Sequence, residues 1–272
     1  MSLRMPIIGL LCLIIYIALS INQHGQKKIK TSNISPPLPS QALKIIGHSY
    51  LKQFIAETLF IKTAVYSGGL KKEPDPENLV IIGQYFLAMS QLHPKMIDIY
   101  YRAESTLAHR GSPYVQTANK ILEAGRYSLP NKVILPFLEG FNYFNYLNNP
   151  LKAGKILATA SKIAGAPQWI GHLASTLMAG EGNIRSGLAL LQGMYASSQN
   201  KQEKERYEKD IIAFKKALSV QQALNNYRQQ QGKPVATLNE LVPAYLKSLP
   251  LFKENYFLEY NPPNVSLLRR GK

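Results

Sequence analysis

Cysteine is almost absent from this 272-residue chain: Cys12 stands alone, which excludes a disulfide framework and any thiolate metal site. Carboxylates are scarce as well. Sixteen Asp and Glu face 32 Lys and Arg, a formal charge of +16, so anionic partners such as phosphate, lipid headgroups or acidic proteins are favoured. The positive charge is scattered, with Lys27, Lys28 and Lys30 near one end, Lys71 and Lys72 before a turn, and Arg269, Arg270 and Lys272 at the other, the pattern of a solvated face. Catalytic signatures are lacking too. The histidines, His24, His48, His93, His109 and His172, are far apart and form no His-Glu-x-x-His or His/Cys cluster, so no zinc site is expected. No Gly-x-Ser-x-Gly sequence offers a strained nucleophile. Gly180-Glu181-Gly182 has no strand before it and no Gly-Lys-Ser/Thr after it, and reads as an interhelical turn rather than a phosphate loop. No enzymatic activity and no cofactor are expected. What is plentiful is apolar residues, 46% against 18% charged, and these demand a packed body.

The apolar stretch from Met5 to Ile21, preceded by Arg4, is at the short limit for crossing a bilayer. It reads as a signal peptide, with Ala18, Leu19 and Ser20 near a cleavage point, or as a retained anchor. Gly9, Leu10 and Leu11 ahead of Cys12 lack the small residue that a lipoprotein signal needs. Residues 1–24 are therefore a signal-anchor or signal peptide. Residues 25–39, containing KKIKTSNISPPLP, form a polar Pro-rich linker. Lys27, Lys28 and Lys30 stand where they could contact anionic lipid.

From Ser40 the apolar residues take helical spacing. Leu43, Ile46, Tyr50, Leu51, Phe54, Ile55, Leu59, Ile61 and Val65 predict one long amphipathic helix that ends at Gly68-Gly69. Asp75 and Pro76 open the next helix, which runs through Tyr85, Phe86 and Met89 to Pro94. Ser112-Pro113, Asn149-Pro150 and Asn183 sit where N-caps belong, and Gly111, Gly165 and Gly180 to Gly182 where helices end. Few segments alternate with period two before residue 250, so the body is expected to be all-α.

The chain also repeats itself. Ala118-Asn119-Lys120-Ile121-Leu122 recurs as Ala153-Gly154-Lys155-Ile156-Leu157 and again as Gly187-Leu188-Ala189-Leu190-Leu191, at spacings near 34 residues. Small residues at a helix crossing, with apolar residues three and four later, suit stacked helical hairpins. With this period and these positions the chain resembles the tetratricopeptide repeat family over residues 95 to 198, and more loosely over 40 to 94. The resemblance puts Phe137, Gly140, Phe141 and Phe144 on the packing positions of one first helix, with Leu157 and Ala160 on its second. In the following unit Ala174, Ser175 and Met178 are matched by Gly187, Leu191 and Met194. Arg102 and His109 replace expected packing residues, and Pro167 comes two residues late. The order of segments, GFNYFNYLNN and AGAPQW included, is similar to bacterial membrane-anchored proteins of this family.

Residues 201–272 differ from the 40–200 repeat region. KQEKERYEKD opens a long capping helix that ends at Gly232 with Pro234 beyond. Thr237-Leu238-Asn239-Glu240 is a capping box that predicts a short helix to Lys247. Tyr256 to Tyr260 and Val265 to Leu268 predict a β-hairpin about Asn261-Pro262-Pro263-Asn264. The run ALNNYRQQQGKPVATLNELVPAYLKSLP resembles a block of pseudopilin-like, secretion-associated proteins. Its acidic turn is missing here, so no calcium site is carried over.

Together these readings predict a right-handed α-α superhelix, a tetratricopeptide-like solenoid, with an N-terminal membrane or signal helix and a C-terminal helix plus β-hairpin cap. The resemblance implies a concave surface lined by first helices, where a protein or peptide partner binds. Tyr100, Arg110, Asn142, Asn145, Tyr146, Trp169 and His172 are the residues expected there, aromatics supplying area while Asn and Arg bond peptide groups. The expected function is a non-enzymatic protein–protein interaction scaffold at the bacterial inner membrane, held by residues 5–21 as a single anchor with its soluble domain on the periplasmic side, in a secretion, pilus or envelope assembly. The other reading is an accessory protein or divergent enzyme acting on an anionic envelope polymer. Nucleic acid is disfavoured as a partner, because Tyr143 and Tyr146 fall at helical spacing.

Overall fold

The computed structural model describes residues 34, 42, 45, 47, 49–69, 74–252 and 255–270. Among them the chain is mostly helical, with one small two-stranded antiparallel sheet. The helices are α1 (Lys52–Gly69), α2 (Pro76–Leu92), α3 (Ile97–Leu107), α4 (Ser112–Ser128), α5 (Ile134–Asn145), α6 (Pro150–Ala160), α7 (Gln168–Gly180), α8 (Ile184–Ser197) and α9 (Lys201–Gln231). A four-residue 3-10 helix, Leu238–Leu241, precedes strands β1 (Tyr256–Asn261) and β2 (Asn264–Arg269).

Local chemistry explains most of these boundaries. Asn149 caps α6 by accepting the Lys152 amide at 3.0 Å, and Asn200 caps α9 by accepting the amides of Gln202 and Glu203, which satisfies donors that have no partner inside the helix. Gly232 ends α9 in the left-handed region at φ 71°, a conformation that costs glycine little. Pro76 and Pro113 lie in the first turns of α2 and α4, where a missing N–H is harmless. At α4 the cap position falls on Gly111, and Ser112 is the first helical residue.

Two expected helices are shorter than predicted. Residues 49–51 form a bend and turn, so α1 begins at Lys52 and the long helix from Ser40 is interrupted. The capping box is present, with the Thr237 amide donating to Glu240 Oε1 at 2.8 Å. The turn it opens stops at Leu241 because Pro243 brings no N–H to continue the ladder. The hairpin forms as expected, Tyr256 opposite Arg269 and Asn261 opposite Asn264.

The location in the bacterial inner membrane through one N-terminal anchor is corrected here. No helix among the described residues is long and apolar enough to cross a membrane. The stretch 5–21 that prompted the anchor, and Lys27, Lys28 and Lys30, lie outside the described residues, so the structure offers the anchor no support. Within the span read as a linker, Ile34 is buried and its amide donates to Asn78 Oδ1 of α2 at 3.2 Å. That position belongs to the packed body.

Consecutive helices pack on one another along the chain, and α2 also meets α4. One apolar cluster joins α1 to α5 around Phe86, Tyr100 and Ile121; a second lies between α6 and α7; a third joins α8, α9 and the hairpin around Tyr207 and Phe214. Close approach of the helices depends on missing side-chain atoms. A Cβ on Gly187 of α8 would lie 2.7 Å from the Ser175 carbonyl of α7 and 2.7 Å from the Phe214 ring of α9. Ala118 and Ala153, the other two small positions of the repeated segment, are fully buried.

Candidate functional site

Helix α5 has the sequence ILPFLEGFNYFN, apolar almost all round. Its neighbours choose the inner face: Leu135, Pro136, Glu139, Gly140 and Asn142 are buried. A Cβ on Gly140 would lie 2.8 Å from Leu157 of α6, so this is the face on which α6 sits. The opposite face then carries Phe137, Phe141, Phe144 and Asn145, separated by 3.6-residue periodicity from the buried set.

These aromatics meet others from adjoining segments. Trp169, in the first turn of α7, is 52% exposed and stands edge-on to Phe137, with centroids 5.4 Å apart at 87°. Phe137 lies 6.4 Å from Phe141, and Phe141 meets Tyr146 edge-on at 6.0 Å. Edge-on geometry sets the positive rim of one ring against the negative face of the next. The result is a partly exposed aromatic ladder, Trp169–Phe137–Phe141–Tyr146, with exposed Phe144 beside it. Each exposed ring leaves apolar area in water that a partner could bury at about 25 cal/mol per Å2.

Beneath the ladder α5 turns polar groups inward. The Asn142 amide donates to Glu104 Oε2 of α3 at 2.9 Å and to Asn119 Oδ1 of α4 at 2.8 Å. Glu139 Oε2 lies 3.3 Å from Arg126 Nε of α4, close enough for an ion pair but without hydrogen-bond alignment. Burial pushes the Glu139 carboxyl up to about 7, against the opposing pull of Arg126. Burial also raises Glu104, partly offset by the Asn142 amide. These bonds tie α3, α4 and α5 together and fix the rotation of α5, hence the outward direction of the ladder. On the α4 side an open polar cleft of about 530 Å3 is lined by residues including Asn119, Lys120, Tyr143 and Lys152, with the Lys152 ammonium 4.1 Å from the Tyr143 ring centre.

A second polar network lies between α7 and α9. His172 Nε2 is 2.9 Å from Asp210 Oδ2, and the Tyr256 hydroxyl of β1 donates to Asp210 Oδ1 at 3.0 Å. Arg269 Nη1 of β2 is 3.5 Å from His172 Nδ1. Since guanidinium can only donate, Nδ1 is the acceptor and the proton sits on Nε2, facing the carboxylate. Burial, then the Asp210 charge, pushes the Tyr256 phenol far up. With both imidazole nitrogens in contact with neighbours, the arrangement holds the hairpin to the helices.

The seven residues predicted to line a partner groove therefore separate. Asn145, Tyr146 and Trp169 are exposed, and the ladder links Trp169 to Tyr146. Tyr100 is fully buried, its hydroxyl donating to the Pro94 carbonyl at 2.7 Å, and Asn142 is fully buried in the α3–α5 network; neither can touch a partner. Arg110 is half-buried in the α3–α4 turn, and His172 is half-buried against Asp210. The repeat register had placed Phe141 and Phe144 in helix packing, and both are exposed. Their place across the helix from Leu135, Glu139 and Asn142, the buried side, is what turns them outward. Among the described residues no group of three or more His, Cys, Asp or Glu is placed to hold a metal ion. Comparison of the chain with protein-family models, with curated proteins and with solved structures gives no match.

Proposed function

We propose that this protein is a non-enzymatic protein-binding scaffold, and that its partner, a protein or peptide segment, packs on the aromatic ladder of α5 and α7. One observation carries the reading: the only tryptophan of the chain stands half in water on rings that continue to Tyr146. Trp and Tyr are the residue types that dominate binding hot spots, because they bring large rigid area at little entropic cost. The excess of 32 basic over 16 acidic residues favours a partner that joins acidic groups to its apolar ones. The tetratricopeptide-like, right-handed solenoid belongs to the same proposal. Its support is the recurrence of small residues at Ala118, Ala153 and Gly187, buried where helices cross. A role in a secretion, pilus or envelope assembly rests on the sequence resemblance alone.

The test is in-cell crosslinking of the tagged full-length chain, comparing wild type with Trp169→Ala and Phe141→Ala. Loss of one discrete crosslinked partner in both variants, with unchanged melting temperature and circular dichroism, is the expected result. Equal crosslinking in all three proteins removes the ladder from the reading. Turnover of an anionic polymer by the purified chain, abolished by one substitution, replaces it with an enzymatic function.

A further inference from the structure

Helix α1 has two apolar faces, and among the described residues only one is covered. Ala56, Leu59, Phe60, Thr63 and Tyr66 lie toward the helices that follow. On the other side Leu51, which immediately precedes the helix, and Phe54, Ile61 and Val65 are each between 60% and 69% exposed. With Thr58 these positions run 51, 54, 58, 61 and 65, alternating gaps of three and four. A gap pattern of 3-4-3-4 is the seam by which one helix packs along another, because it keeps the stripe facing a neighbouring helix axis.

The seam has no charge within it. The Thr58 hydroxyl donates to the Phe54 carbonyl at 2.8 Å and so needs no water. The two charged flanking residues are turned to α2: the Lys62 ammonium donates to the Tyr85 hydroxyl at 3.0 Å, and Glu57 Oε1 lies 3.7 Å from His93 Nδ1. A charged peptide would find nothing here to select it, whereas an identical uncharged seam is complementary by construction when two copies are related by a two-fold axis.

The area is also sufficient. From their exposures, the four stripe residues and Tyr50 present on the order of 650 Å2 of apolar side-chain surface, beyond the ~300–600 Å2 of the largest patch on an ordinary monomer. Two copies face to face cover at most on the order of 1,300 Å2, at the lower edge of the ~1,200–2,000 Å2 of specific interfaces. We infer that α1 is a self-association surface, and that the exposed Leu51–Phe54–Thr58–Ile61–Val65 seam packs on the same seam of a second copy of this chain.

The experiment uses the full chain with Cys12→Ser and single added cysteines. Thr58→Cys and Ile61→Cys are expected to give a disulfide-linked dimer on mild oxidation, since seam positions of paired helices bring Cβ atoms within disulfide reach. Ser112→Cys, on the exposed start of α4, is expected to give no disulfide-linked dimer. Sedimentation of the cysteine-free chain is expected to show a dimer, and Phe54→Glu with Ile61→Glu to weaken it at least about 100-fold with unchanged circular dichroism, because each carboxylate would lose its water in the seam. A monomer at all concentrations up to roughly 100 µM, or a dimer indifferent to the two glutamates, overturns the inference. So does an intrachain disulfide in a separate Thr58→Cys chain that keeps Cys12, which would make the chain's own apolar run 5–21 the occupant, and so does flotation with lipid vesicles that the glutamates abolish while no dimer forms.

Discussion

Asp210 Oδ2 accepts from His172 Nε2 at 2.9 Å, across 38 residues of sequence, and its other oxygen accepts from Tyr256 at 3.0 Å. One buried carboxylate thereby joins α7, α9 and β1, with Arg269 of β2 closing the set at the far nitrogen of the imidazole. Removing it leaves a buried phenol and a half-buried imidazole each short of a partner. Asp210→Ala is expected to lower unfolding free energy by about 1.5–3 kcal/mol for each charge-assisted bond lost. Tyr256→Phe is expected to cost less, since the carboxylate keeps His172. Urea denaturation of both variants checks the order; equal losses, or none, would contradict the network's role in holding the hairpin.

Glu139 gives stability a pH dependence of definite sign. Its carboxyl titrates at about 7 in the folded chain, against 4.5 for the free group, because burial disfavours the charge more than Arg126 favours it. The folded state therefore holds the proton more tightly. The contribution is fully present below about 4.5 and is lost as pH rises through about 7. Glu139→Gln stays neutral throughout, so its stability relative to wild type is expected to rise between those pH values and level off above. Denaturation midpoints of the two proteins at pH 5, 6, 7 and 8 measure the difference; a constant gap means that the carboxyl does not titrate in this range.

Gly187 and Gly193 stand on the same helix with opposite surroundings. A Cβ at Gly187 meets a backbone carbonyl and the Phe214 ring, whereas one at Gly193 meets nothing within 4 Å. Gly187→Ala is expected to destabilise by about 1–3 kcal/mol through overpacking, and Gly193→Ala to stabilise by roughly 0.5–1 kcal/mol through helix propensity. Thermal melts of the two variants should move in opposite directions.

Trp169 reports on the ladder directly, because no other tryptophan contributes to the fluorescence. Half-exposed, it is expected to be quenched by iodide in the free protein. A bound partner should shift its emission to the blue and reduce quenching several-fold. A shift-free titration with a partner identified by crosslinking would place binding elsewhere on the surface.

Much of the helical framework was legible in the sequence because its signals are local. Asn149 caps a helix, Gly232 ends one in a left-handed conformation, Thr237 and Glu240 form their box, and the hairpin closes at Asn261 and Asn264. Each needs only neighbours a few residues away. The candidate site was legible in part: Trp169 and Tyr146 are at the surface as expected, while Tyr100 and Asn142, chosen by the same periodic register, are buried. Periodicity tells which residues share a face but not which face turns inward when both are apolar.

By itself, then, the sequence determined the order of the helices, most of their ends and the terminal hairpin, through capping, turn chemistry and period. Only the tertiary structure decided the rotation of α5, set by Gly140 against Leu157 and by Asn142 on Glu104 and Asn119, and with it the exposure of the aromatic ladder. It alone likewise joined His172 to Asp210 and Tyr256, and left the seam of α1 uncovered. These are pairings between residues tens of positions apart, and their energies depend on packing and burial that no local stretch of chain contains.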